Sequence, residues 1–175
     1  MKYLFTLIVL LILFSSVGYT QSGFEWQWLH PSPHGVTIRS VQRVAPSTWY
    51  LVGTTGLFQK TTDDGQTWDF HFHAGKYLSA TNVYSHLYDF HFFDLNNGVA
   101  VGNAGSITKT TDGGNTWQEV TTNPAPSSVV LYAVHFVDNL TGFAVGGSGT
   151  LVKTTDGGNN WSLIPMNITN VSFDV

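Results

Sequence analysis

The chain has 175 residues, enough for one medium-sized domain or a few repeat units. It carries 7 Lys and Arg against 11 Asp and Glu, a formal net charge of −4, and this balance argues against a nucleic-acid partner because phosphate binding needs clustered cations. It has no cysteine, which excludes disulfides, thiolate metal sites and a cysteine nucleophile.

Residues 1–20 predict a secretory signal peptide. Lys2 gives a positive start, and residues 4–14 form an apolar run interrupted only by Thr6. This run is shorter than the roughly 20 residues that span a bilayer, although an uncleaved membrane anchor is the alternative. Cleavage before Gln21 would leave no membrane span. We therefore expect a bacterial protein that is secreted, periplasmic or on the cell surface, since export without cysteines suits bacteria.

The rest of the chain contains three copies of one sequence repeat, at residues 38–68, 87–117 and 131–161. In each copy a Val-Gly-x-x-Gly segment precedes Thr-Thr-Asp-x-Gly and a tryptophan. The period of 40 to 50 residues suits a four-stranded propeller blade. Aromatic residues alternate at 88, 90 and 92, which predicts a strand with one buried face. The sequence therefore predicts an all-β fold of four-stranded antiparallel blades.

The Thr-Thr-Asp segment has a local physical rationale. The Asp carboxylate can accept hydrogen bonds from its own turn, and the glycine two residues after it can adopt positive φ. The tryptophan then returns into the blade as a large apolar side chain. Asn160 replaces threonine in the third copy, and we expect it to weaken that strand slightly. The predicted structural residues are Asp63, Gly65, Trp68, Asp112, Gly114, Trp117, Asp156, Gly158 and Trp161.

This turn resembles the Asp-box, or BNR, repeat. Residues 131–158 look like a repeat of the photosystem II assembly factor-like propellers, a family that includes secreted bacterial proteins. The resemblance covers about residues 24–175. It implies a β-propeller, commonly of seven blades. From the three repeats, the signal peptide and the lack of a convergent catalytic set, we expect a secreted, non-catalytic binding or scaffold module with a protein or glycan ligand and no cofactor.

Three blades do not close a ring, because propellers typically have about 4–8. Residues 24–30 resemble the fourth strand of a blade, so they are interpreted as the closing strand of a missing last blade. Residues 172–175 match the start of a first strand. Residues 21–175 thus predict a partial propeller from a larger one, whose open blade edges invite self-association. The alternative is a short, edge-capped protein.

No convergent catalytic set is recognised. Arg39 and Arg43 are the only arginines, too few for the arginine cluster of a sialidase. An N-terminal fragment of an Asp-box glycoside hydrolase is the alternative function, with Asp89, Asp94 and Asp138 as carboxylates of the right type. Asp94 and Asp138 precede turns at equivalent repeat positions, so turn capping is the simpler explanation.

The longest connection between repeats is residues 69–86, and variable loops of repeat folds often carry ligand sites. Its His-x-His segment and a later histidine could hold a metal, but polar residues on an exposed strand edge are commoner, and no metal site is predicted. A solvated insertion is the alternative to a ligand loop. The candidate ligand residues are His71, His73, Lys76, Tyr77, Tyr84 and His86.

Overall fold

A computed structural model describes residues 35–121 and 124–165, and the regular structure there is β-strand apart from two short 3-10 turns, Thr54–Gly56 and Gly147–Gly149. None of these residues belongs to a helix long and apolar enough to cross a membrane. The predicted signal peptide, the closing strand at 24–30 and the strand start at 172–175 lie outside the described residues.

The strands are β1 (Ile38–Ala45), β2 (Thr48–Gly53), β3 (Phe58–Thr61), β4 (Asp69–His71), β5 (Tyr77–Leu78), β6 (Val83–Tyr84), β7 (Leu87–Phe92), β8 (Gly98–Gly102), β9 (Ile107–Thr110), β10 (Gln118–Glu119), β11 (Leu131–Phe136), β12 (Gly142–Gly146), β13 (Thr150–Thr154) and β14 (Ser162–Leu163).

Twelve of these strands form three four-stranded antiparallel sheets, which are the blades of a β-propeller and confirm the predicted fold class. Blade 1 has the order β1-β2-β3-β4, blade 2 runs from β7 to β10, and blade 3 runs from β11 to β14. Each fourth strand begins after the repeat's tryptophan, so the blades extend slightly past the repeat boundaries seen in the sequence. The residues before the tryptophan are held in the preceding turn and do not pair with the third strand.

The alternation predicted for the first strand of blade 2 is wrong at one residue. The register shifts between Leu87 and Asp89, so Leu87, Phe90 and Phe92 are buried on one face while Tyr88 is only half-buried. The first strands of blades 1 and 3 have the same irregularity near their starts. A β-bulge of this kind inserts one residue and changes the face on which the preceding side chains lie.

The hydrophobic core lies between the blades. One cluster joins blade 1 to blade 2 and includes Phe58 and Phe92, and a second joins blade 2 to blade 3 and includes Val99 and Phe136. Each fully buried side chain of this size contributes about 1.5–3 kcal/mol relative to exposure. The apolar residues of the repeats therefore stabilise contacts between neighbouring blades.

The second glycine of the Asp-box lies directly against the preceding blade. Gly114 has φ +83° and an added Cβ would stand 2.1 Å from Cε1 of Phe58. Gly158 has φ +82° and its added Cβ would stand 2.8 Å from Cγ2 of Val99. Glycine is thus required both by the backbone conformation and by the packing of one blade on the next.

Candidate functional site

The Asp-box carboxylates are engaged within their own turns. Asp63 accepts from the Thr67 backbone N–H at 2.9 Å and from the Thr67 hydroxyl at 2.6 Å. The Thr61 hydroxyl donates to Asp63 at 2.7 Å and accepts from the Gly65 N–H at 2.9 Å. These bonds, that from the Thr67 hydroxyl first, lower the pKa of Asp63 to about 2. The second and third boxes repeat the arrangement, so these carboxylates hold the turn together.

The tryptophan that ends each box closes the same turn. Its indole N–H donates to the carbonyl oxygen of the glycine three residues before it, at 3.1 Å for Trp68 and Trp117 and 3.2 Å for Trp161. Trp161 is buried in the cluster between blades 2 and 3, and Trp117 packs against the cluster between blades 1 and 2. All nine residues predicted for the Asp-boxes lie in these three turns.

Asn160 makes the same two hydrogen bonds to the Asp-box carboxylate as the threonine of the other repeats. Its backbone N–H donates to Asp156 at 2.9 Å, and its side-chain amide donates to the other carboxylate oxygen at 2.6 Å. Asn160 also precedes β14, so it is not part of the strand that we expected it to weaken. The donor count of the turn is therefore the same in all three repeats.

Sequence reasoning missed a lysine that joins each blade to the next. Lys60 of blade 1 donates to Oδ1 of Asn115 in the Asp-box of blade 2, at 2.7 Å. Lys109 of blade 2 likewise donates to Oδ1 of Asn159 at 2.8 Å, and to the Gly157 carbonyl at 2.9 Å. Burial lowers the pKa of Lys109, and the nearby Asp156 opposes this. The available signal was the Lys-Thr-Thr-Asp register shared by the three repeats.

The carboxylates considered for glycoside hydrolysis are also engaged. Asp94 accepts from the N–H groups of Asn96 and Asn97, both at 2.7 Å, which confirms the expected turn capping. Asp138 accepts in the same way from the two equivalent N–H groups of blade 3. Asp89 lies on the first strand of blade 2 and bonds to both neighbouring blades. None of the three is paired with another across a cleft in these contacts.

The connection between blades 1 and 2 brings three of the six candidate ligand residues together and separates the other three from them. Its centre is the small antiparallel hairpin of β5 and β6. His71 is on β4 with its ring nitrogen 3.2 Å from Asp69, whereas His73 lies beyond the end of that strand. His73 thus lies outside the strand that carries His71, so the two imidazoles do not share one strand face. In residues 35–121 and 124–165 no three His, Asp or Glu side chains are grouped to hold a metal.

Two of the six residues hold the connection in place. The Lys76 ammonium forms a 2.7 Å ion pair with Glu119 of blade 2. His86 accepts at Nδ1 from the Thr55 N–H of blade 1 at 2.8 Å. These contacts fix the hairpin against both blades, which gives the two residues a structural role in addition to any contact with a ligand.

The other three candidates form one group, which we call the hairpin cluster: His73, Tyr77 and Tyr84. The His73 and Tyr84 rings are 5.0 Å apart at an edge-to-face angle, and Tyr77 and Tyr84 are 5.4 Å apart. Tyr77 is exposed and Tyr84 half-buried. The cluster thus presents aromatic surface and polar tips together, as binding surfaces commonly do.

A second group, which we call the inner-strand row, crosses the three first strands at the exposed Arg39, the half-buried Tyr88 and the exposed Tyr132. The Arg39 guanidinium lies 4.8 Å from the centroid of the Tyr88 ring, and the Tyr88 and Tyr132 rings are 5.5 Å apart, edge to face. Such cation–π and edge-to-face contacts order the side chains without burying them. The row came from residues of no recognised motif, so the sequence did not predict it.

The row and the hairpin cluster lie at the same end of the blades. Both are close to the starts of the first strands, which follow the connections from one blade to the next. Because neighbouring strands are antiparallel, the Asp-box turns lie at the opposite end. We call the end with the row and the cluster the aromatic end.

These features define a class: four-stranded blades that end their third strands in Asp-box turns make an Asp-box β-propeller. The family described as Photosynthesis system II assembly factor YCF48 matches residues 76–170, more than half of the chain. The chain therefore belongs to this family, and the predicted resemblance is confirmed.

Solved propellers give the same fold. A structure of YCF48 bound to D1 peptide matches with a TM-score of 0.60 and 26% identity over 75% of this chain and 40% of that one. YCF48 from Cyanidioschyzon merolae matches with 0.57 and 26% over 76% and 38%. An ancestral GH74 enzyme matches with 0.56 and 18% over 75% and 19%, a likeness of fold alone. The chain thus spans less than half of the solved relatives, and no curated protein matches it.

Proposed function

We propose that this chain is a non-catalytic propeller module that binds a protein segment at its aromatic end. The observation that carries the proposal is the inner-strand row, in which one guanidinium and two tyrosine rings make successive contacts across three blades. Tyrosine and arginine are enriched at protein interfaces because they supply large contact area and directed hydrogen bonds. The family relation supports a protein ligand, since one solved relative is bound to a D1 peptide.

The opposite end offers much less to a ligand. Its Asp-box and turn carboxylates accept hydrogen bonds from their own turns, so binding there would have to replace bonds already made. At the aromatic end, the Arg39 guanidinium stacks on Tyr88, and no hydrogen bond joins it to another residue of 35–121 or 124–165. A guanidinium suits a carboxylate or carbonyl oxygen of a ligand. An extended peptide with an aromatic and an acidic residue fits this chemistry.

The test is affinity selection from a random peptide library, with the D1 peptide as one probe and a glycan array as the competing class. Tyr132→Ala should lower the affinity for a selected peptide by about tenfold. Leu163→Ala is the matched control, because Leu163 is 50% exposed and Tyr132 51%. Binding of glycans but no peptide, or equal effects of the two substitutions, would contradict the proposal.

A glycoside hydrolase is the alternative function. It predicts turnover of soluble glycans that is lost when one Asp outside the Asp-boxes is replaced. The contacts of Asp89, Asp94 and Asp138 favour structural roles for these residues. Screening the purified chain for glycan hydrolysis separates the two functions, since the binding proposal expects none.

Export to the cell exterior is part of the proposal. It rests on the signal-like pattern of residues 1–20. Expression of the chain in a bacterium should give a processed product outside the cytoplasm that begins at Gln21. An intact N-terminus in the cytoplasmic fraction would contradict this.

A further inference from the structure

The three rings of the hairpin cluster stand at steep angles to one another. Tyr77 and Tyr84 are directly opposite each other in the hairpin of β5 and β6, so their side chains lie on the same face of it. Their ring planes are inclined by 59°, with centroids 5.4 Å apart. The planes of His73 and Tyr84 are inclined by 89°, with centroids 5.0 Å apart. We call the space between these three rings the aromatic corner.

Blade 1 and the hairpin hold these rings in position. A Cβ added to Gly56, in the turn between β2 and β3, would stand 2.6 Å from Cβ of Tyr84. The Ala74 N–H donates to the Gly56 carbonyl at 3.0 Å, which ties the connection to the same turn. The Tyr77 hydroxyl donates to Oδ1 of Asn82 across the hairpin. The rings are therefore ordered before a ligand arrives, which lowers the entropy lost on binding.

The aromatic corner is accessible from solvent. His73 and Tyr77 are exposed and Tyr84 is half-buried. Within residues 35–121 and 124–165, no lysine or arginine lies over any of the three rings. The adjacent lysine, Lys76, is paired with Glu119 of blade 2 at 2.7 Å. The aromatic corner is thus not filled by a cation of the described residues.

We propose that the aromatic corner binds a cationic side chain, a lysine ammonium or an arginine guanidinium, of the protein segment that binds at the aromatic end. This inference rests on the proposed function. The face of a tyrosine ring carries partial negative charge and attracts a cation within about 6 Å of its centroid. A neutral imidazole, here that of His73, has a nitrogen lone pair that can accept from the cation's N–H groups. The same chemistry occurs inside the chain, where Arg39 lies over Tyr88.

The charge of the chain also favours a cationic ligand group. The formal net charge is −4, and a net negative charge attracts basic segments as they approach. The Arg39 guanidinium of the inner-strand row suits an acidic group, whereas the aromatic corner suits a basic one. We therefore expect a ligand segment that carries residues of both signs, and the two sites fix its direction along the aromatic end.

The first experiment compares two small probes of the same shape. Choline carries a charged nitrogen, and dimethylbutanol has a neutral carbon in its place. Their binding is measured by NMR chemical-shift titration, with sodium chloride exchanged for choline chloride to keep the ionic strength constant. We expect choline to shift the resonances of the hairpin cluster and to bind at least about threefold more tightly than dimethylbutanol. Equal affinity for the two probes, or shifts only outside the cluster, would overturn the proposal.

A matched pair of variants at Tyr77 isolates the aromatic ring. Tyr77→Leu and Tyr77→Phe both lose the hydrogen bond to Asn82, but only Tyr77→Leu loses the ring. We expect Tyr77→Leu to weaken choline binding at least about threefold and Tyr77→Phe to stay within about twofold of the unmodified chain. Val83→Ala is the control on the other face of the hairpin and should bind choline unchanged. Circular dichroism checks that each variant is folded. Equal losses in the two Tyr77 variants would overturn the assignment to the ring.

The second experiment identifies the source of the cation. Peptides selected from a random library by the unmodified chain should be enriched in lysine and arginine, and those selected by Tyr77→Leu should not. Selected peptides without this enrichment would overturn the ligand proposed for the aromatic corner and leave protein binding intact. Binding to phosphatidylcholine vesicles in place of basic peptides would likewise overturn it. Failure to select any peptide would contradict the proposed function itself, whereas the choline titration tests the aromatic corner without a peptide.

Discussion

The Asp89 carboxylate of blade 2 accepts a hydrogen bond from the Val134 backbone N–H of blade 3 at 2.9 Å. Its other oxygen accepts from the Ser40 hydroxyl of blade 1 at 2.8 Å. One side chain thus links the first strands of three consecutive blades. The N–H group that it satisfies belongs to β11, which pairs with β12 on one side and with no other strand of the described residues.

Asp89→Ala should destabilise the chain by about 1–3 kcal/mol, because it leaves the backbone N–H of the buried Val134 without its acceptor. Ser40→Ala removes one hydroxyl donor together with its own hydrogen bond and leaves no backbone N–H group without an acceptor, so it should cost less. Urea unfolding of both variants measures the difference. Equal losses of unfolding free energy would mean that the hydrogen bond from Val134 adds nothing to the stability beyond the one from Ser40.

Contacts within one repeat were predictable from the sequence, and contacts between repeats were not. The Asp-box spans only a few residues, so the motif that identifies Asp63 and Trp68 also determines their hydrogen-bond partners. The bond from Lys60 to Asn115 joins residues 55 apart, and its existence depends on how one blade stacks on the next. The register shift after Leu87 likewise removes Tyr88 from the buried face on which the alternation placed it. No residue of that strand is a sequence signal for such a shift.

The inner-strand row illustrates the same limit. Arg39 and Tyr88 are equivalent positions of different repeats, and each alone looks like an ordinary exposed strand residue. Only the side-by-side placement of the first strands brings the guanidinium over the ring. Repeat alignment identifies such positions, whereas the geometry of the propeller decides which of them touch.

Asp112→Ala should destabilise the chain by about 1–2 kcal/mol, because the Thr116 N–H and hydroxyl lose their acceptor. Affinity for a peptide at the aromatic end should stay nearly unchanged. Thr116→Val is the matched control, since it removes the hydroxyl donor and keeps the backbone bond. A large loss of affinity with unchanged melting would show that the Asp-box is itself a binding site.

Acid should weaken the first Asp-box in a defined window. The pKa of Asp63 is lowered from 3.8 to about 2 by the hydrogen bonds of its turn, chiefly that from the Thr67 hydroxyl. A depressed folded-state pKa means that the contribution is complete above pH 3.8 and is lost as the pH falls toward 2. The free energy of unfolding, measured across this window, should fall less steeply in Asp63→Asn than in the unmodified chain. Parallel slopes would contradict the assignment.

His91 should make stability depend on pH in a milder range. Burial lowers its pKa from 6.5, the ring of His135 with centroid 5.6 Å away adds to this, and Asp89 opposes it. The unfolded chain therefore takes up the proton first, so stability should decline as the pH falls below 6.5. Phe93 and Phe136, the other rings against His91, carry no charge.

The equivalent residue of blade 1 suggests the variant that tests this. Gln42 donates to the Phe92 carbonyl at 3.0 Å and accepts from the Phe92 N–H at 2.9 Å. His91→Gln should therefore be accommodated and should flatten the dependence of unfolding free energy on pH between about 7 and 5. His73→Gln is a control at the hairpin. An unchanged slope in His91→Gln would assign the dependence to another group.

Gly114→Ala should be among the most damaging single changes in the chain. Its φ of +83° strains any residue with a Cβ, and that Cβ would lie 2.1 Å from Phe58, a fully buried ring between blades 1 and 2. Backbone strain costs about 1–3 kcal/mol and overpacking a similar amount. Gly149→Ala isolates the first cost, because Gly149 has φ +67° and nothing within 4 Å of an added Cβ. Thermal and urea unfolding should therefore show a clearly larger loss for Gly114→Ala than for Gly149→Ala, and equal losses would mean that the Phe58 ring moves aside without cost.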